Sequence, residues 1–215
     1  MQHLAMYTTV IISLAIFSGC SNQNLYEQHV SSKSTKELIK LLEDQSDPEN
    51  LFGAITEELG KRGADASDAA PALSVALTYP RRDSYLAGFA LMALGPNAKS
   101  AIPILTSELT HERTNVRKYA ALSLGAIGYE AECAIPQLSL LLWFPDSETR
   151  SAAAIAIDAI TKVNLVDLDA KLDPQNPGVM ALDEPEGIVS GLAKEWWLEI
   201  GQDQNWPTEN CKPSN

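Results

Sequence analysis

The chain has 215 residues, 45% of them apolar, enough to bury one continuous core and far from the composition of a disordered protein. Sixteen basic against 28 acidic side chains give a formal net charge of -12, which repels a phosphate backbone and excludes nucleic acid as an expected partner. The acid is uneven: residues 164–215 hold ten acidic and three basic side chains, residues 51–163 twelve and ten.

The first element is an apolar run from Leu4 to Phe17. It is short of the roughly 20 residues that span a bilayer, and it runs into the small residues Ser18 and Gly19, as the h-region of an export signal does. The stretch Ile16-Phe17-Ser18-Gly19-Cys20 resembles the lipobox of bacterial lipoproteins. That resemblance implies a signal peptide over residues 1–19, lipidation of Cys20 as the first mature residue, and, with Ser21 following, an outer-membrane address facing the periplasm. The alternative is an ordinary secretory signal with an incidental cysteine. Residues 20–33 are poor in apolar side chains and without period, which predicts a flexible tether.

Ordered structure is expected from Ser34. Ser34-Thr35-Lys36-Glu37 forms a capping box, and Leu38, Leu41 and Leu42 give the following helix, residues 34–44, an apolar face. The next hundred residues repeat a frame, G-x-x-A-x-x-A-x-P-x-L, with glycines at Gly63, Gly95 and Gly128 and prolines at Pro71, Pro103 and Pro136. Four and eight residues before each glycine lie Leu59/Ile55, Leu91/Ala87 and Leu124/Ala120, one face of a first helix. The glycine predicts the C-terminal cap of that helix in the left-handed conformation. Asp68, Ser100 and Cys133, five residues on, are expected as the start of a second helix, Asp68 and Ser100 as its N-caps. Its buried stripe would be Leu73/Leu77, Leu105/Leu109 and Leu138/Leu142, stopped in two copies by Tyr79-Pro80 and Phe144-Pro145.

Leu38 and Leu42 fall in the columns of Leu73 and Leu77, so residues 34–44 read as a lone second helix closing the N-terminal end. Arg150, Ala153, Ala154, Ile157 and Ile160 begin a fourth copy, with Thr161 in the glycine column. An acidic loop over 164–187 follows, then Ile188, Leu192, Trp196 and Ile200 at i, i+4 spacing, which predicts a capping helix over 188–200 and a polar tail over 201–215. A period of 32 to 33 residues belongs to stacked helix pairs.

The residues Val116-Arg117-x-x-Ala120-Ala121-x-x-Leu124-Gly125-x-Ile127-Gly128, with Ala134-Ile135-Pro136-x-Leu138, resemble the HEAT-like repeat first associated with phycobilisome lyases. The resemblance covers about residues 50–161. It implies an all-α, right-handed α-solenoid over residues 34–163, about three full repeats with partial repeats at the ends. In HEAT-like solenoids the second helices line the concave face. The column Ser74, Thr106, Ser139, with Trp143 beyond it, is therefore the candidate partner surface.

Other constellations are weaker. Asp167-x-Asp169-x-x-x-Asp173 has the carboxylates of a calcium loop, but Lys171 takes a ligand position and no glycine turns the chain, so a solvated loop and no metal are expected. None of the three histidines sits in a catalytic motif, and His29 and His111 read as solvent-facing. No cofactor is expected. Trp196 and Trp197 are adjacent, suited to end-cap packing. With Cys20 assigned to lipid, Cys133 and Cys211 remain as a candidate disulfide in an oxidising compartment. The competing reading has Cys133 as a small buried residue and Cys211 as a free thiol. Together these readings predict a non-catalytic, protein-binding or assembly scaffold of the bacterial cell envelope, bound to the membrane through lipid. A lyase-type enzyme or cofactor-handling accessory is the alternative that the family resemblance leaves open.

Overall fold

The computed structural model describes residues 22–44, 51–81, 83–162, 185–207 and 211. Among these residues all regular structure is helical: α1 Asn22–Ser31, α2 Thr35–Glu43, α3 Leu51–Arg62, α4 Ala70–Leu77, α5 Tyr85–Leu94, α6 Ile102–Glu108, α7 Thr114–Ile127, α8 Ile135–Leu141, α9 Ser147–Thr161 and α10 Pro185–Glu199. The first helices α3, α5, α7 and α9 pack side by side in sequence order, and the short second helices α4, α6 and α8 each pack on the first helix that follows in the chain. The fold is a HEAT-type α-solenoid.

Each junction between first and second helix follows from the repeated frame. Gly63, Gly95 and Gly128 have φ of 54°, 53° and 80°. At Gly95 and Gly128, ψ is -129° and -145°, so they are not left-handed helical as the sequence led us to expect. They occupy a region with positive φ and extended ψ that side-chain-bearing residues avoid more strongly still. Seven residues of 3₁₀ turns follow each time, Gly63–Ala69, Gly95–Ala101 and Gly128–Ala134, the first of them kinked at Ala66. Three residues per turn place the alanines of the frame on one side, and Ala66/Ala69, Ala98/Ala101 and Ala131/Ala134 are all buried.

The 3₁₀ segment runs straight into the second helix, which begins after Ala69, Ala101 and Ala134 without a side-chain cap. Asp68, Ser100 and Cys133 are therefore not caps but members of the 3₁₀ turn. The first N–H groups of the second helices find carbonyls in that turn, Ala70 N–H donating to Ser67 O, Ile102 to Lys99 O and Ile135 to Glu132 O. Each proline sits at the helix start, where its missing N–H costs nothing.

Leu59, Leu91 and Leu124 are completely buried, as are Leu73, Leu105 and Leu138. Neighbouring first helices approach closely through small residues. A Cβ built on Gly60 would lie 3.4 Å from Ala90 Cα, and one on Gly125 only 2.9 Å from Ala156 Cα.

The ends differ from expectation. Residues 22–31 form helix α1 instead of a tether. Val30 is buried, Tyr26 packs against the core, and α1 lies on α3, so α2 is not a lone second helix but the partner of α1. The predicted capping box is present: Glu37 N–H donates to Ser34 Oγ at 3.3 Å and Ser34 N–H to Glu37 Oε2 at 2.8 Å. At the other end α10 begins at Pro185, three residues earlier than the periodicity indicated. Leu192 and Trp196 are buried but Ile200 is exposed, because the helix stops at Glu199 and the chain turns at Gly201. Cys20, the segment 1–19, most of the acidic loop with Asp167, Asp169, Lys171 and Asp173, and the side chain of Ile188 lie outside the described residues.

Candidate partner surface and the tail clasp

The hydroxyl column of the second helices is not a surface. Ser74 and Ser139 are fully buried and Thr106 nearly so. Each hydroxyl donates to a carbonyl one turn back in its own helix: Ser74 Oγ to Pro71 O at 2.7 Å, Thr106 Oγ1 to Ile102 O at 2.8 Å, and Ser139 Oγ to Pro136 O at 2.8 Å. A buried hydroxyl needs such a partner, and satisfied this way it offers a ligand little. The residues that do face solvent on these helices are one position on: Val75 and Leu140, 44% and 69% exposed, with Trp143 at 49%. Of the residues first selected, Trp143 alone remains available, with Lys194 Nζ 5.9 Å from its ring centroid.

Cys133 and Cys211 are brought together, their sulfurs bonded and their Cα atoms 5.8 Å apart, a separation suited to a bridge. Cys133 is buried, in the 3₁₀ segment between α7 and α8. Cys211 is half-buried against the core, its Sγ 3.4 Å from Thr106 Oγ1. The tail thus reaches back from the end of the stack to the second-helix side of the repeats.

Between α10 and that clasp lies a tryptophan cluster. Trp196 is 6.2 Å from Trp197 and 6.1 Å from Trp206, ring centre to ring centre. Trp206 Nε1 donates to Gly201 O at 2.8 Å. Gly201 is required there: a Cβ would meet Trp197 Cε3 at 2.7 Å and Trp196 Cζ3 at 2.9 Å. These rings cover the end of the stack, the packing role that the sequence favoured.

A second constellation, which sequence reading missed, is a set of arginines joining the turns. Arg62 donates to Lys33 O at 2.8 Å, Arg113 to the Thr78 and Tyr79 carbonyls, Arg117 to His111 O and Glu112 O at 2.8 Å each, and Arg150 to Phe144 O and Pro145 O. Arg113, Arg117 and Arg150 take carbonyls where one helix pair ends and the next begins, and Arg62 takes one in the turn between α1 and α2. Arg117 also lies over a ring, 4.4 Å from the Phe144 centroid, and Arg81, which is paired with Asp83, lies 4.1 Å from that of Phe52.

Arg117 is 5% exposed and is paired with Asp146 at 2.7 Å. Asp146 also caps α9, accepting the Thr149 N–H at 2.7 Å. Burial acts to raise the pKa of Asp146, but the hydrogen bonds from Thr149 and Arg117 outweigh it and hold the carboxyl below its ordinary value. An open groove of about 880 Å³ runs along this edge, lined by Arg81, Ser84, Arg113, Asn115, Asp146 and Glu148 among others. Arg81 is paired with Asp83, and Arg113 is spent on carbonyls. The edge is a structural joint.

His29 is exposed on α1, and His111 Nδ1 accepts the Arg113 N–H at 3.1 Å. Among the described residues no group of three His, Cys, Asp or Glu could hold a metal ion, and no helix is long and apolar enough to cross a membrane.

Residues 80–158 match the family model described as HEAT repeats. A comparison with curated proteins finds no match. The match takes in the α5–α6 and α7–α8 pairs and most of α9, and it supports HEAT-like repeats over that part of the stack.

Proposed function

We propose that the chain is a non-catalytic scaffold of the bacterial cell envelope, anchored by lipid at Cys20 and facing the periplasm, that holds a partner protein along its helical stack. HEAT repeats suggest a protein-interaction scaffold, and the observation that carries this reading is where the repeated residues go. The glycines, alanines, prolines and leucines of the frame are consumed in turns and core, while large apolar side chains stay exposed on both sides of the stack, Phe89 and Ile155 on first helices and Leu140 and Trp143 on the second-helix side. Such residues anchor partners. The lipobox-like segment ending at Cys20 supports the location.

Crosslinking in intact envelopes followed by capture of the chain tests the reading. A defined protein recovered with crosslinks to the exposed residues of the stack is the expected result. Recovery of the chain alone, under conditions that crosslink known envelope assemblies, would overturn it.

A further inference from the structure

The starts of two neighbouring first helices are built differently. Helix α9 carries its own carboxylate: Asp146, at its N-cap, accepts the Thr149 N–H at 2.7 Å. One repeat earlier the same position holds Arg113, which gives α7 no side-chain cap. Among the described residues, the N–H groups of Thr114 and Asn115 at the start of α7 meet no acceptor. A helix start adds the positive end of its dipole to such donors, and an anionic oxygen is their complement.

Positive charge is left over at the same place. Arg113 donates to Tyr79 O at 3.0 Å and to Thr78 O, and these neutral partners leave its charge intact. The surrounding charges cancel in pairs, Arg81 with Asp83, Arg117 with Asp146 and Lys118 with Glu148. Among the described residues Arg113 has no ion pair. Glu108 on α6 is close enough for Arg113 to act on its carboxyl, but burial outweighs that and raises its pKa.

A buried hydroxyl opens on this joint as well. Ser84 is 7% exposed and lines the 880 Å³ groove together with Arg113, Thr114 and Asn115. Among the described residues its hydroxyl has no hydrogen-bond partner. The other buried serine and threonine hydroxyls, those of Thr56, Ser74, Thr106, Ser123, Ser139 and Thr149, are all bonded. A buried hydroxyl left without a partner costs free energy that a ligand oxygen in the groove would restore.

We propose that the groove at Ser84, Arg113, Thr114 and Asn115 binds the carboxylate of an Asp or Glu side chain in a partner polypeptide. The ligand takes at α7 the place that Asp146 takes at α9, with the Arg113 guanidinium as its counter-charge and the Ser84 hydroxyl as a further donor. A single uncancelled cation matches a single negative charge. A phosphate dianion fits less well, because Asp146 and Glu148 also line the groove and repel the second charge. This rests on the scaffold reading and gives it one polar anchor.

The test follows the backbone amide resonances of the full chain during titration with an acetylated, amidated Gly-Asp-Gly peptide. Its controls are the Gly-Asn-Gly counterpart and inorganic phosphate. The expected result is a saturable shift of the Thr114 and Asn115 amides, with the Asp peptide bound about tenfold or more tightly than the Asn peptide and more tightly than phosphate. Ser84→Ala should weaken binding about threefold or more. Asn115→Asp places an acid at an exposed helix start, where it suits the helix, and should abolish binding without lowering the melting temperature. No saturable shift, equal binding of the Asn peptide, tighter binding of phosphate, or an unchanged affinity in Asn115→Asp would overturn the proposal. A partner crosslinked elsewhere on the stack would then leave the scaffold reading standing.

Discussion

At the scale of single residues the stack depends on columns that tolerate one size of side chain. Leu124 is completely buried between helices held close by Gly125, and Leu124→Ala should cost about 2 to 5 kcal/mol through the cavity it leaves, read as a lower melting temperature. Gly95 and Gly128 are fixed by conformation instead of space: a Cβ at Gly128 would meet nothing within 4 Å, yet its φ of 80° with ψ of -145° is strained for any other residue. The spacing of glycine and leucine made both roles legible in the sequence. The region of φ/ψ space was not, because a positive φ alone does not distinguish a left-handed helical cap from an extended turn. Nor was the fate of Ser74, Thr106 and Ser139. A hydroxyl column looks the same in sequence whether it faces solvent or turns back on its own helix, and only the packing of Val75 and Leu140 outward shows which side is wet.

Between elements, the joints are made by arginines. Arg117 satisfies two carbonyls, two threonine hydroxyls and Asp146 at once. Arg117→Met should therefore cost about 3 kcal/mol, by taking the donor from the two carbonyls and leaving the Asp146 carboxylate with the Thr149 N–H but no counter-charge. The pH dependence follows from Asp146. Its pKa is lowered from 3.8 in the folded chain, so its contribution is complete above the ordinary aspartate range and is lost as pH falls through the lower folded value. Melting temperatures compared at pH 6 and pH 3 should fall further for the wild type than for Asp146→Asn, and equal falls would remove Asp146 from the account.

The sequence pattern reaches α7 and α9 through Arg117 and Arg150. It is blind to Arg62 and Arg113, which stand in other columns and reach the same kind of carbonyl from different positions. Helix α1 escaped for a similar reason: a helix with Val30 buried and Tyr26 packed in shows no readable period. Its stability comes from lying on α3 and from Arg62 closing its last turn.

For the molecule as a whole, the proposed lipid anchor and the disulfide lie at opposite ends of the stack. The lipobox-like segment predicts that wild-type protein partitions with membranes and carries an acyl mass at Cys20, and that Cys20→Ala yields a soluble or unprocessed form. Finding the wild type wholly soluble and unmodified would remove the anchor. At the other end, thiol labelling of the purified chain under denaturing, non-reducing conditions should find neither Cys133 nor Cys211 reactive, and two labelled thiols would rule the bridge out.

The bridge spans 78 residues in a fold whose other contacts join neighbours along the chain, and this has a mechanical consequence. A force drawn through the two chain termini passes across the bond and bypasses everything inside the loop. Helices α8, α9 and α10 are then shielded, and roughly 260 Å of contour stays locked at about 3.4 Å per residue. Under load the folded stack can lengthen only from its N-terminal repeats, so the end nearest the proposed lipid anchor yields while the tryptophan-covered end keeps its shape.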